Sequence, residues 1–88
     1  MASSALKTFR RKMANPLHWR KANRVFLTYQ RSDLCTVAGA KKLIDDLAGE
    51  LGVPLSPDER IQAATWLVKQ QIDPQSARDR MSIWKKVK

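Results

Sequence analysis

The sequence has little of what enzymes and secreted proteins use. It contains one cysteine, Cys35, and one histidine, His18, among 88 residues. A single cysteine excludes an internal disulfide, which fits a reducing compartment. One histidine and one cysteine, with no carboxylate pair near them, provide neither a catalytic triad nor a set of metal ligands. We therefore predict that the protein is not an enzyme and has no cofactor.

Long apolar runs and glycine-rich loops are also missing. No stretch approaches the ~20 apolar residues of a transmembrane helix, and the three glycines form no phosphate-binding loop. Four cations between residues 7 and 12 interrupt any signal-peptide core. These absences predict a cytoplasmic protein with no membrane partner and no small-molecule substrate. The basic, serine-containing start leaves a mitochondrial presequence open as an alternative.

Acidic residues are absent from the first 31 positions, where the chain has eight lysines and arginines. Residues 32–59 have two lysines against six acids, and residues 60–88 have seven cations against two acids. The formal charge of the whole chain is +9. Such a surplus causes self-repulsion, which is usually offset by a polyanion. We predict that the partner is DNA, with RNA as the alternative.

The chain is long enough for one small domain and contains no repeat, low-complexity segment or long linker. We divide it into a basic N-terminal arm, residues 1–22, and a single small helical domain, residues 23–88. A short helix is predicted within the arm, from residue 4 to about residue 15, because apolar residues recur there at helical spacing. Asn15-Pro16 is interpreted as the end of that helix.

Residues 24–30, RVFLTYQ, are the one stretch that resembles a β-strand. Its residues favour a pleated surface, and Val25, Leu27 and Tyr29 alternate onto one face. A lone strand needs partners for its backbone donors and acceptors. Because no second strand is visible in the sequence, we predict that two copies pair through this strand as a homodimer. The alternative is that these residues form a turn of a fourth helix in an all-α four-helix bundle.

Three helices are predicted after the strand, over about 36–51, 57–70 and 74–87. The turn Arg31-Ser32-Asp33 offers one cap for the first helix and Thr36 a second, and Gly52 is a left-handed terminator. The second has a capping box over residues 56–59, SPDE, with proline at the first helical position. Asp73-Pro74 repeats this start signal for the third. The predicted fold class is therefore mainly α, with one short N-terminal strand.

The order of strand, helix, turn and helix over residues 24–70 resembles the ribbon-helix-helix family. The resemblance implies a dimer whose paired strands enter the major groove of DNA. Arg24, Thr28 and Gln30 would then face the bases, and the start of the second helix at Ser56 would hold a phosphate. The basic arm would contact the neighbouring backbone through Lys7, Arg10, Arg11, Lys12, Arg20 and Lys21.

These patterns predict a small basic DNA-binding protein associated with the nucleoid, a dimeric transcriptional or plasmid/phage regulator. Two alternatives stay open. A helical nucleic-acid-binding subunit would belong to a ribonucleoprotein, or would use the last two helices as a helix-turn-helix that reads the groove with Arg78, Ser82 and Lys85. A protein-binding adaptor or inhibitor would use Trp66, which falls on the polar side of its helix, as a contact surface.

Overall fold

The structure of the chain is a computed structural model, which describes residues 4–83. The regular secondary structure of this part of the chain is entirely helical, and no β-strand occurs in it. The elements in order are α1 (Ser4–Lys12), α2 (Pro16–Leu27), a short 3-10 helix (Arg31–Cys35), α3 (Val37–Leu51), α4 (Pro57–Gln70) and α5 (Ala77–Ile83). The protein therefore belongs to the all-α class.

The strand predicted over residues 24–30 is wrong, because the structure has the end of a helix and a turn there. Residues 24–27 form the last turn of α2. Thr28 ends the helix: its backbone N–H donates to the carbonyl oxygen of Val25 at 3.1 Å, and its hydroxyl donates to the same oxygen at 2.7 Å. The all-α alternative fits the fold class, with five α-helices among the described residues instead of four.

Two features of the sequence explain why α2 forms. Asn15 is its N-cap, with a side-chain oxygen that accepts from the N–H of Leu17 at 2.9 Å, and Pro16 takes the first helical position. The pair Asn15-Pro16 thus begins α2 as well as following α1. The helix then buries Ala22, Val25 and Phe26, which recur at the spacing of one helical face.

Helix α3 is the centre of the fold, because it packs against both α2 and α4. Its buried stripe fills the space between these two helices and consists of Ala40, Leu43, Ile44, Leu47, Ala48 and Leu51. Gly39 lets the 3-10 helix approach α3 closely, since a Cβ there would lie 1.8 Å from the carbonyl oxygen of Asp33. Helix α1 packs on α4.

The capping signals place α3 and α4 where the sequence predicts them. Thr36 caps α3 by accepting from the N–H of Gly39 at 3.1 Å, and Gly52 ends it with φ of 66°. Ser56 caps α4, and Glu59 completes the capping box. The predicted ranges 36–51 and 57–70 agree with these helices to within one residue.

The start predicted for the last helix is wrong. Asp73-Pro74 forms a turn instead, in which the Asp73 carboxylate accepts from the N–H of Gln75 at 2.9 Å and helix α5 begins only at Ala77. The Asp73 side chain is therefore used within the turn. The predicted end of this helix at residue 87 lies outside the described residues.

The segment around α5 is held against α2 by long-range hydrogen bonds. The side-chain amide of Gln75 donates to the carbonyl oxygens of Leu27 and Tyr29, at 2.9 and 2.6 Å. Arg80 Nε donates to Asn23 Oδ1 at 2.8 Å. The two Gln75 bonds satisfy backbone carbonyls at and just beyond the C-terminal end of α2, and with the Arg80 bond they hold the segment after α4 against α2.

A pair of neighbouring substitutions tests whether residues 24–27 are helical. Phe26 is 0% exposed and Leu27 is 48% exposed, whereas a strand with Leu27 on its core face would reverse this order. We expect Phe26→Ala to lower the free energy of unfolding in urea by about 3–5 kcal/mol. Leu27→Ala should lower it by less than about 1 kcal/mol.

Phe26→Leu provides a milder variant if Phe26→Ala does not fold, with an expected loss of about 1–1.5 kcal/mol. A larger loss for Leu27→Ala than for either Phe26 variant would contradict the helical assignment.

Candidate nucleic-acid interface

Helix α1 separates its apolar and basic residues onto different faces. Leu6 and Phe9 are buried in the core. Lys7, Arg10 and Arg11 are exposed. At 100° per residue, Lys7 and Arg11 lie on the side of the helix away from that apolar stripe, and Arg10 lies beside it. Lys12, the fourth predicted cation of this segment, is half-buried.

Helix α2 repeats this arrangement. Arg20, Lys21 and Arg24 are exposed on the face opposite the buried one. Leu17 and Leu27 lie on the same outer face and are 64% and 48% exposed. The outer side of α2 therefore presents three cations between two leucines that the core does not use.

The two basic faces belong to neighbouring parts of a small molecule. Residues 13–15 are the whole connection between α1 and α2, and the molecule measures 28 × 28 × 22 Å. No acidic residue occurs between residues 4 and 31. We call the six exposed cations of these helices the α1–α2 basic surface: Lys7, Arg10, Arg11, Arg20, Lys21 and Arg24.

An acidic groove flanks the C-terminal end of this surface. It encloses about 390 Å³ between α2 and α3. Arg24, Val25 and Thr28 line it from α2, and Asp45, Asp46, Gly49 and Glu50 line it from α3. Asp45 Oδ1 also lies 3.5 Å from Arg60 Nε, as an ion pair without a hydrogen bond. Carboxylates therefore reduce the positive potential around Arg24, whereas α2 has no acid in its first turn.

Of the three residues predicted to face the bases, the structure keeps two together and separates the third from them. Arg24 and Thr28 lie beside the acidic groove. Gln30 lies beyond the end of α2, where its backbone N–H donates to Asp33 Oδ2 at 2.8 Å. No row of alternating side chains forms, because the backbone of residues 24–30 is a helix end followed by a turn.

Ser56 is used for helix capping. Its hydroxyl accepts from the N–H of Glu59 at 3.2 Å, and its own N–H donates to the Glu59 carboxylate at 3.1 Å. Asp58 and Glu59 place two carboxylates in the first turn of α4. These negative charges oppose the approach of a phosphate to this helix terminus.

The residues of the two alternative hypotheses, the helix-turn-helix and the adaptor surface, lie in the last two helices and the segment after them. Arg78 is exposed on α5, and Lys85 lies outside the described residues. Six residues, 71–76, separate α4 from α5, more than the 3–4 residues of a helix-turn-helix turn. Trp66 is half-buried and packs against the core.

The sequence analysis did not predict that Leu17 and Leu27 are exposed on the same face of α2 as the cations. Their signal was available, because a helix that starts at Pro16 places Leu17, Arg20, Lys21 and Arg24 on one face. It also missed the contact between Tyr29 and Asp46, whose hydroxyl and carboxylate form a hydrogen bond that joins the end of α2 to α3. These residues are 17 positions apart, so no local pattern indicates the contact.

No protein-family model, curated protein or solved structure matches this chain. The protein is therefore classified by its own structure alone, as an all-α fold with two strongly basic N-terminal helices. Within residues 4–83, no helix is both long enough and apolar enough to cross a membrane. The same residues bring together no group of three side chains that could ligate a metal ion.

The contact between Tyr29 and Asp46 predicts a pH effect. Burial raises the pKa of the Tyr29 hydroxyl well above its ordinary value of 10, and the hydrogen bond to Asp46 and the negative charge of that carboxylate raise it further. The stability that Tyr29 contributes is therefore present below pH 10 and is lost as the pH rises through the higher pKa of the folded state. Since Tyr29 is the single tyrosine, tyrosinate absorbance reports this group alone.

We expect a tyrosinate titration midpoint well above 10 in the wild-type protein, and a lower midpoint in Asp46→Asn because that variant removes the negative charge. Burial remains in the variant, so its midpoint should stay above the ordinary value. A midpoint near 10 that Asp46→Asn leaves unchanged would contradict the contact.

Proposed function

We propose that the protein binds nucleic acid through the α1–α2 basic surface. One observation supports this above all: α1 and α2 each bury an apolar face and together turn six cations to solvent, with no acid in residues 4–31. Phosphates would relieve the repulsion among these cations on binding. The all-helical nucleic-acid binder is the form of the hypothesis that this fold supports.

The size of the molecule sets the scale of the complex. A width of 28 Å corresponds to about 8 base pairs at ~3.4 Å per step. Six cations within that span can neutralise several phosphates and release their counterions. The affinity would then depend strongly on salt and weakly on sequence, as in the backbone contacts of other DNA-binding proteins.

Several finer predictions depend on this function. Binding to DNA would place the protein with the nucleoid, and a role as a regulator would require selectivity among sites. The homodimer was predicted from pairing of the strand. Residues 4–83 contain no strand, so the dimer stays a prediction that has lost its proposed interface. The adaptor hypothesis has less support, since Trp66 packs against the core instead of standing in solvent.

The salt dependence of binding tests the proposal. We expect binding to a random-sequence DNA duplex to weaken by about 10³-fold between ~50 and ~200 mM salt if six phosphates are contacted. The double variant Lys7→Gln/Arg11→Gln should reduce the slope of log K against log salt by about 1 for each contact removed. Fluorescence anisotropy of a labelled duplex measures both quantities.

Lys42→Gln/Lys69→Gln is the matched control, because it removes the same charge from exposed positions on α3 and α4. It should leave the slope close to the wild-type value. Equal slopes for the two double variants would show that net charge alone governs binding and would contradict the proposed surface. Absence of binding at ~50 mM salt would contradict the function itself.

A further inference from the structure

We infer that the preferred ligand is B-form duplex DNA and that the N-terminal half of α2 enters its major groove, with Leu17, Arg20 and Lys21 toward the base edges. This inference rests on the proposed function and specifies its substrate class and its reading element. Three independent features of the described residues carry it: the position of the aromatic side chains, the composition of the outer face of α2, and the location of the acidic groove.

The aromatic side chains of residues 4–83 are buried in the core or half-buried against it. Phe9 and Phe26 are fully buried, and Trp19, Tyr29 and Trp66 pack against the core cluster. Proteins that bind single strands stack successive bases on exposed aromatic rings. The large hydrophobic side chains that residues 4–83 leave mostly exposed include no aromatic ring, so their basic surface offers charge without a fully exposed stacking platform. This favours a ligand whose bases stay stacked, namely a duplex.

The outer face of α2 has the composition of a groove-reading helix. It is a 12-residue helix, and the major groove of B-DNA, about 12 Å wide, admits a helix of this kind. Arginine and lysine match the acceptors of guanine, and an apolar side chain matches the methyl group of thymine. Leu17 is 64% exposed on the same face as Arg20 and Lys21. In the major groove it could contact a thymine methyl group, whereas a helix that contacts only phosphates would leave it without an apolar partner.

The shape of the major groove also favours duplex DNA over duplex RNA. The major groove of A-form RNA is deep and too narrow for side chains to read. A helix with Leu17 and Arg20 on its outer face would have to remain outside it and contact phosphates only. Duplex DNA is therefore the nucleic acid that uses both the cations and the leucine.

The acidic groove sets which half of α2 approaches the DNA. Asp45, Asp46 and Glu50 line the groove next to Arg24 and Thr28, near the C-terminal end of the helix, and would repel phosphates there. The N-terminal half of the helix includes Arg20 and Lys21 and has no acid in its first turn, and the N-terminus adds the positive end of the helix dipole. Helix α1 ends three residues before α2 begins along the chain, and its exposed cations would contact the flanking phosphates.

The test uses the full chain and three labelled ligands of equal length at ~50 mM salt: a duplex DNA, a single-stranded DNA and a duplex RNA of about 16 base pairs or nucleotides, roughly twice the width of the molecule at ~3.4 Å per base pair. We expect the duplex DNA to bind at least about tenfold more tightly than the other two. Comparable or tighter binding of the single strand or the RNA would overturn the inference while leaving the proposed function intact.

Two arginines one helical turn apart provide the matched variants. Arg20→Ala should weaken binding to duplex DNA by about tenfold to a hundredfold, and Arg24→Ala by about threefold or less, because Arg24 shares its groove with three carboxylates. Both positions are exposed, so both variants should keep the wild-type circular dichroism spectrum. A larger loss for Arg24→Ala than for Arg20→Ala would overturn the assignment of the reading end.

A competition with vesicles of phosphatidylserine and phosphatidylcholine separates DNA from a membrane surface. At equal phosphate concentration, we expect the chain to remain on the duplex. Transfer of the chain to the vesicles would overturn this inference and the proposed function together, because a lipid surface would then be the preferred polyanion. Failure to bind any of the three nucleic acids would overturn both as well.

Discussion

Burial of the apolar stripe of α3 between α2 and α4 is the interaction on which the rest of the structure depends. Leu43, Ile44 and Leu47 are at most 1% exposed, and a fully buried side chain of this size contributes about 1.5–3 kcal/mol. Helix α2 meets this stripe with the face that holds Phe26, so its rotation about its own axis is determined by the core. Its cations are thereby turned to solvent. The contact that stabilises the fold also arranges the charges that we propose to bind nucleic acid.

The fold tolerates this arrangement because each repulsion is small. Lys7 and Arg11 on α1, and Arg20 and Arg24 on α2, are like-charge pairs at i,i+4, and each such pair costs roughly 0.2–0.5 kcal/mol. These costs are minor beside the burial of a single core residue, and salt screens them further. A row of phosphates changes the balance, since every neutralised cation also releases a counterion from the DNA. A surface that is slightly unfavourable in the free protein is therefore suited to bind a polyanion.

Local signals made part of this structure predictable. The caps at Thr36 and Ser56 define α3 and α4 because a cap acts over three or four residues of contiguous sequence. Residues 24–30 were misassigned because the run is short: alternation and helical spacing both fit seven residues, and only the extension back to Ala22 selects the helix. The cations of the candidate site could be named from composition. The electrostatic environment of these cations could not be predicted, because the carboxylates beside Arg24 come from α3, about 20 residues further along the chain.

The most direct test of the account is a map of backbone amide chemical shifts during titration with a short DNA duplex. Binding through the α1–α2 basic surface should shift the amides of residues 7–24 most strongly, since the duplex would lie against these two helices. The amides of α4 between residues 60 and 70, whose side chains pack on α3 and α1, should change little. A map in which α4 or the acidic groove shifts most, while residues 7–24 stay unchanged, would contradict the central claim.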